Sequence, residues 1–477
     1  MAKKYVTNFK ILNDTVHVRD AEALHTQDSD VLYSFATTDS LRKASNLVPG
    51  SVYSTSGYYD PEDGGGAMFL CEPLSESPCK RIHFDNVGAH TRLVMLYNNS
   101  VTLEQLGVHS GEPAVPGNGK LFNDALKLAM IRCNDLDPFT LHGHGKYIVD
   151  ETLQFYCGDS SETKTWSGIF NTDFSGSVIE TNKALQSLVS IRNMQENTLR
   201  FGQLSARSCA SALEIVSNQR YDWSQYLTIY ADWVAGREHA VYITNNKNGG
   251  WVNDIHFIGG VYESGFFVDC PNPKDILFKE NLLNGFYFDH VSCEGSNAST
   301  PWFKFRNTWG VHITNTRTVD VAGLFMECLE NCQQFSISLS RKIDHKLFKL
   351  SNDCHFINVT GILTWTNAFD MRNPSYDYGK WFSPTTQAIE TVKASTPSLD
   401  FDPIFFYVGG AVGDIKLSKN YSNFTGITEI FCSLSGSASG RLVDGYGNQI
   451  INFTTHAGKY VVVRYVPGSG WVSQAFL

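Results

Sequence analysis

The sequence predicts an all-β protein whose middle third winds as a parallel β-helix, and three observations predict it. Phe, Tyr and Trp make up 13% of the 477 residues, and Gly and Asn are plentiful, which is the composition of strand-and-turn structure. Seven segments share an apolar–polar–apolar centre within a short strand: TLRFGQL, YLTIYAD, DIHFIGG, GFYFDHV, GVHITNT, QFSISLS and CHFINVT. Their second apolar residues are Phe201, Ile229, Phe257, Phe288, Ile313, Ile337 and Phe356, at intervals of 28, 28, 31, 25, 24 and 19 residues. One strand in register per repeat, with a repeat of roughly 20–30 residues and no helix in the unit, is a solenoid of strands. Leucine-rich repeats are excluded by the missing L-x-x-L-x-L pattern.

The elements follow in order. Residues 1–39 are polar, weakly patterned and read as an arm or attachment segment. Residues 40–115 alternate short apolar strands with turns and contain GYYDPEDGGGAMF, Gly57 to Phe69. The three glycines are not a phosphate loop, because no Gly-Lys-Ser/Thr follows and no apolar helix opens after them; they read as a tight turn feeding the strand from Ala67 to Cys71. The β-helix proper is assigned to residues 116–370. It opens on one amphipathic helix, with Phe122, Ala125, Leu126, Ala129, Met130 and Cys133 on one face, suited to cover an open hydrophobic end. Residues 371–477 read as a loop region followed by a small C-terminal domain of antiparallel strands between Gly-rich turns.

Composition also excludes function classes. The net charge is −10 with no basic run, which argues against nucleic-acid binding. No apolar run approaches the roughly 18 residues of a membrane span, and the N-terminal residues carry no apolar signal core. The 11 cysteines form no CxxC pair, Cys328 and Cys332 coming closest. Neither a disulfide framework nor a metal site is expected, and no cofactor is called for; the cysteines read as small buried apolar side chains.

Two stretches carry a family resemblance. LRKASNLVPGSVYSTSGYYDPEDGGGAMF, residues 41–69, and LEQLGVHSGEPAVPGNGKLFNDALKLAM, residues 103–130, followed by LHGHGKYIVDETLQF, resemble the head segment and the opening helix of bacteriophage tailspikes with the pectate-lyase-like right-handed β-helix. The acidic Gly-Asp-Gly element that usually precedes that helix is absent. The resemblance covers residues 40 to about 360. It implies a homotrimer joined to a phage tail or baseplate protein through its N-terminus, located in the virion, that binds and often cleaves a host surface polysaccharide.

Strand residues alternate inward and outward. The residues between the apolar pairs, Arg200, Thr228, His256, Tyr287, His312, Ser336 and His355, should therefore form one outward file. Its rings can stack on sugars and its polar edges bind hydroxyls, and Asp254 beside His256 can join them. Glycoside hydrolysis needs one protonated and one ionised carboxyl flanking the bond. Glu263 lies six residues past Phe257 and Glu294 six past Phe288, so they fall at equivalent places in consecutive repeats. One rung, roughly 4.8 Å, approximates the spacing of about 5–5.5 Å between the carboxyls of a retaining enzyme. Glu263 and Glu294 are the expected catalytic pair, with Asp289 and Asp320 in reserve. Asp222, Asp232 and Glu238 are the acids to consider if the site lies between subunits. A lyase would instead use a base and a group that neutralises a uronate, for which His312, Tyr287 and Arg306 are the candidates. A binding spike without turnover is the alternative from a different class.

Overall fold

In each solenoid strand one set of side chains is driven inside and the other left out, because the pleat sends successive residues to opposite faces. The computed structural model describes residues 9–12, 15–18, 32–75, 81–86, 89–97, 99–133, 139–156, 170–218, 222–245, 250–271, 283–294, 301–318, 325–339, 348–350, 355–361, 382–384, 390–392, 405–408, 411–416, 429–434, 436–444, 446–466 and 470–476. It shows the right-handed parallel β-helix. The chain divides into two compact units, residues 1–215 with 221–238, and residues 216–220 with 239–477.

The first unit begins with a mixed sheet. Leu32–Thr37 runs parallel to Val52–Gly57, which pairs antiparallel with Met68–Pro73 and so on to Thr91–Leu96 and His83–Asn86. The glycine run lies in the loop between two of these strands. The Asp63 carboxylate accepts the backbone N–H groups of Tyr58, Tyr59, Asp60 and Gly65 at 2.7–3.0 Å. Burial raises its pKa, but those four donors outweigh it and hold the carboxyl below its ordinary range. A Cβ on Gly65 would stand 2.6 Å from the Glu104 carbonyl oxygen. The loop is thus pressed against the chain just past the first solenoid strand, Ser100–Thr102, in the structural role expected of it.

Helix Asn118–Cys133 buries Phe122, Ala125, Leu126 and Ala129 completely. Phe122 meets the rings of Tyr147 and Phe174 edge-on, both at 5.7 Å. Asp150 caps the helix by accepting from the N–H groups of Gly117 and Gly119 at 2.7 and 3.0 Å. The Cys133 side chain lies outside the described residues.

In this unit Ser100–Thr102, Phe139–His142, Phe170–Glu180, Thr198–Ala206 and Ser224–Gly236 lie side by side in parallel. Leu153–Tyr156, Ser187–Arg192 and Ser211–Ser217 form a second parallel sheet. One expected register is corrected here: Phe201 pairs with Ala231, not Ile229, so Tyr230 rather than Thr228 stands beside Arg200. The run Leu227, Ile229, Ala231 offers three inward positions, and a slip of two keeps the same face inside.

In the second unit Val252–Ile258, Leu283–Asp289, Thr308–Thr314, Gln333–Leu339, His355–Gly361 and Phe382–Pro384 make one parallel sheet. His239–Asn245, Phe266–Asp269, Phe303–Arg306, Met326–Cys328 and Phe348–Leu350 make another. Phe257, Phe288, Ile313 and Ile337 occupy one file, as expected, and the next member is Val359 rather than Phe356. The adjacent apolar pair Phe356–Ile357 allowed either phase, and the pairing takes the one that sets Asn358 in register with Ser336 and His355 with Gln333. Inside, Phe257 stacks on Phe288 at 5.4 Å and Phe266 on Phe303 at 5.3 Å, with ring planes 4° and 3° apart.

The tail is mixed rather than antiparallel throughout. Phe405–Val408 is parallel to Glu429–Leu434, and Ala411–Lys416 to Ser439–Val443. Only from Glu429–Leu434 onward do Tyr460–Val466 and Gly470–Phe476 meander antiparallel. Cys432, Leu434, Leu442, Ile451, Phe453, Val461 and Val463 form its core, with Trp471 against it. Cys71, Cys209, Cys270, Cys293, Cys328, Cys332 and Cys432 are buried.

Candidate functional site

Three successive strands of the second unit bring most of the anticipated residues together. Ile255, Phe286 and Val311, then Phe257, Phe288 and Ile313, are fully buried. The residues between them, His256, Tyr287 and His312, are in register and half-buried on the outer face. Their rings form a ladder: His256 and Tyr287 lie 4.2 Å apart with planes 9° apart, and Tyr287 and His312 lie 4.8 Å and 3° apart. Ser336 extends the file.

The next outward file is Ile258, Asp289, Thr314 and Ser338. These two files frame a cavity of about 340 Å³ lined by His256, Ile258, Tyr287, Asp289, His312 and Thr314. Asp289 is held on one oxygen. Its Oδ1 accepts from Thr314 Oγ1 at 2.7 Å, from Asn315 Nδ2 at 3.3 Å and from His290 Nδ1 at 2.9 Å. The Thr314 hydroxyl foremost, then His290 and Asn315, hold the Asp289 carboxyl below its ordinary range despite some burial. It is therefore ionised at neutral pH. Burial lowers the pKa of His256, His312 adds to that and Asp254 opposes it, so the ladder's first ring is neutral there.

Glu263 and Glu294 are direct partners on the short parallel strands Val261–Glu263 and Ser292–Glu294. Tyr262 and Cys293 between them and the preceding residues point into the core, which turns both glutamates outward. Ser292 Oγ donates to Glu294 Oε1 at 3.2 Å. These strands lie past a corner from the ring ladder. The corner is made by left-handed residues at equivalent places: Gly259 (φ +69°), His290 (φ 56°) and Asn315 (φ 54°).

The remaining anticipated residues stand apart from the ladder's outer wall. Asp254 sits in the left-handed region at φ 53°, takes Asn253 Nδ2 at 3.2 Å and overlies Gly285. A Cβ at Gly285 would fall 2.7 Å from Asp254 Oδ1, so this glycine (φ +70°) lets the two rungs close. Arg306 is not beside His312. It lies on the second sheet as the register partner of Asp269, with Nη1 at 3.4 Å from Asp269 Oδ1. The chain turns at Asn307 (φ 51°) between Arg306 and the ladder strand Thr308–Thr314. Asp222 is buried in an ion pair with Arg192 at 2.6 Å, while Asp232 and Glu238 are exposed, Glu238 pairing with Arg237 at 2.7 Å. Asp320 lies outside the described residues.

Sequence reasoning missed Thr314, Asn315 and His290. All three reach Asp289 from neighbouring chain positions or the next rung. The only signal was that TNT in GVHITNT falls opposite DHV in GFYFDHV once the repeats are aligned.

No family model and no curated protein matches the sequence. Among solved structures the chain is similar to WceF of Pantoea stewartii, described as a glycan biofilm modifying enzyme with a bacteriophage tailspike-like parallel β-helix fold. The identity is 10% and the TM-score 0.30, covering 94% of this chain and 66% of that one. It is also similar to the tailspike gp49 of Acinetobacter baumannii bacteriophage Fri1, described as a capsular polysaccharide depolymerase: 10% identity, TM-score 0.37, 93% of this chain and 91% of that one. A third is tailspike protein 2 of an Escherichia coli O157:H7 bacteriophage, at 10% identity and TM-score 0.29, covering 90% of this chain and 62% of that one. At these TM-scores the assignment of a parallel β-helix rests on the strand register above.

Proposed function

We propose that this chain is a phage tailspike that binds a host surface polysaccharide (capsule, O-antigen or wall polymer) and cleaves it by glycoside hydrolysis. The observation that carries the reading is the ladder His256–Tyr287–His312 walling a cavity of about 340 Å³ with the ionised carboxylate of Asp289 at its rim. Flat rings stacked in one file present a long apolar strip edged with polar atoms, which matches the alternating faces and hydroxyls of a sugar chain. In this reading Glu263 and Glu294, partners one rung apart, are the acid/base or nucleophile pair. Asp254, two residues before His256 on the same strand, is a further candidate to bind sugar. The chain works as a homotrimer in the virion, joined to the tail or baseplate through its N-terminal segment, and acts at the host cell surface.

Elimination by a lyase is the alternative with less support, because Arg306 lies near Asp269 on another sheet from His312 and Tyr287. Binding without turnover is the second reading. It is favoured by the three donors on Asp289 Oδ1, an arrangement that also serves to fix the corner.

The test is incubation of the purified chain with a panel of capsular, O-antigen and wall polysaccharides, followed by polymer size and end-group analysis. New reducing ends without the absorbance of an unsaturated uronate support hydrolysis, and that absorbance means elimination. Retained binding at unchanged polymer length means an adhesin. Glu263→Gln and Glu294→Gln should each abolish cleavage with oligomeric state intact, and full activity in both discards that pair. A monomer by light scattering counts against the spike.

A further inference from the structure

The corner between the ladder strand and the glutamate strand holds a dyad that the proposed reaction has not used. Left-handed backbone is disfavoured for residues with a Cβ and easiest for Gly and Asn. The corner file obeys this below and above, with Gly259 and Asn315. Between them stands His290 at φ 56°. Its side chain is 65% exposed, so it is not kept there for packing. Histidine is among the residue types enriched in this region, and His90 shares it at φ 51°, so a role for the exposed imidazole needs a chemical reason of its own.

Its surroundings supply one. Nδ1 of His290 is 2.9 Å from Asp289 Oδ1. An ionised carboxylate only accepts, so Nδ1 carries the hydrogen and Nε2 is left as the acceptor. Thr314 and Asn315, one rung on, hold the same oxygen at 2.7 and 3.3 Å and so fix the carboxylate that fixes the ring. One rung back, the corner position is Gly259, where a Cβ would meet nothing within 4 Å. Asp289 lines the cavity of the ladder, and Ser292–Glu294 begins two residues beyond His290. Along the chain His290 therefore stands between the cavity residue Asp289 and the strand of Glu294.

We propose that His290 is the general base of polysaccharide cleavage and Asp289 its positioning residue. The inference rests on the reading of the chain as a glycoside hydrolase. A water molecule attacks the anomeric carbon and gives its proton to Nε2 of His290. The bond from the anomeric carbon to the departing oxygen breaks with its electron pair, and that oxygen takes a proton from the Glu263–Glu294 pair. Hydronium-equivalent exchange with solvent then restores both groups, and one water is consumed per bond. Such a base makes the reaction a single displacement, so the product anomer is inverted.

The experiment uses the full chain and the polysaccharide it cleaves, with His290→Gly, which suits a left-handed corner. Cleavage should fall by about 100-fold or more, with polysaccharide affinity and melting temperature retained. Added imidazole should restore part of the rate in His290→Gly and none in Glu294→Gln. Asp289→Asn should lower the rate with little change in KM. Proton NMR of the first product should show the inverted anomer. Wild-type cleavage by His290→Gly, a loss that imidazole does not restore, or a retained anomer overturns this inference and leaves hydrolysis standing. Absence of cleavage by the wild type overturns both.

Discussion

The same rungs of the second unit present two very different outer faces. On the ladder face, His256, Tyr287 and His312 stack as flat rings and the carboxylate of Asp289 is held by neutral donors and an imidazole. On the second sheet the outward groups cancel one another. Asp269 faces Arg306 at 3.4 Å, Lys304 lies 3.9 Å from Glu327 and 4.8 Å above the ring of Phe267, and Tyr242 donates to Asp269 at 3.4 Å. Asp269, Glu327 and Phe267 are nearly fully buried. A parallel solenoid puts like positions one above another, so each face is a vertical list of side chains. Where successive rungs alternate in charge, the face satisfies itself. Where they repeat rings, the rings stack on one another along the face.

The comparison breaks first at the core both faces share. Phe288 stacks on Phe257 and lies edge-on to Phe266 and Phe303 at 4.8 and 5.1 Å. Phe288→Ala should cost about 3–5 kcal/mol. The expected result in thermal denaturation is a large fall in melting temperature with loss of glycan binding. A variant that keeps both would show that the ring file is not the mechanical base of the ladder.

Next in size is the self-cancelling face. Arg306→Met leaves Asp269 without its cation and should destabilise by about 1–3 kcal/mol, with cleavage unchanged. Burial already raises the pKa of Asp269, against the pull of Arg306. The folded chain thus holds that proton more tightly than the unfolded chain, and stability from this group is greatest at low pH and falls as pH rises past its ordinary value. Removing Arg306 extends that loss to higher pH. Urea titrations at pH 4 and pH 7 should show a deficit that grows with pH; a deficit independent of pH would mean the arginine matters only through packing.

Gly285→Ala tests the rung closure below the ladder. A Cβ there meets Asp254 Oδ1 at 2.7 Å and Asp254 N at 2.9 Å in a left-handed residue, for about 1–2 kcal/mol. The expected outcome is a modest loss of stability together with weakened glycan binding, because Asp254 and the ring of His256 belong to one strand. Unchanged binding would separate the two.

These contrasts also mark what the sequence made legible. Phe257, Phe288, Ile313 and Ile337 align because each of their strands repeats one apolar alternation, and Glu263 and Glu294 align because both rungs spend the same number of residues turning the corner. Where Phe356 and Ile357 are adjacent, alternation has two solutions, and only pairing with Gln333–Leu339 decides between them. Arg306 lies six residues before His312, yet a left-handed Asn307 sends it to another face. The Asp289–His290–Thr314–Asn315 cluster is a product of stacking, invisible until the rungs are set at the right height.

The smallest effect is the most specific to the ladder. If the rings bind through their faces, Tyr287→Leu should weaken polysaccharide binding by about 0.5–1.5 kcal/mol, the worth of aromatic contact beyond burial, which is a few-fold to roughly tenfold in Kd. Tyr287→Phe keeps the ring between His256 and His312 and should bind nearly as wild type. Phe267→Leu, an equally aromatic change on the self-cancelling face, should leave binding untouched. Isothermal titration with a cleavage-deficient chain such as Glu294→Gln separates affinity from turnover. Equal loss in Tyr287→Phe and Tyr287→Leu would move the binding energy from the ring faces to the phenol hydroxyl. Loss in Phe267→Leu would mean that the two faces are not energetically distinct.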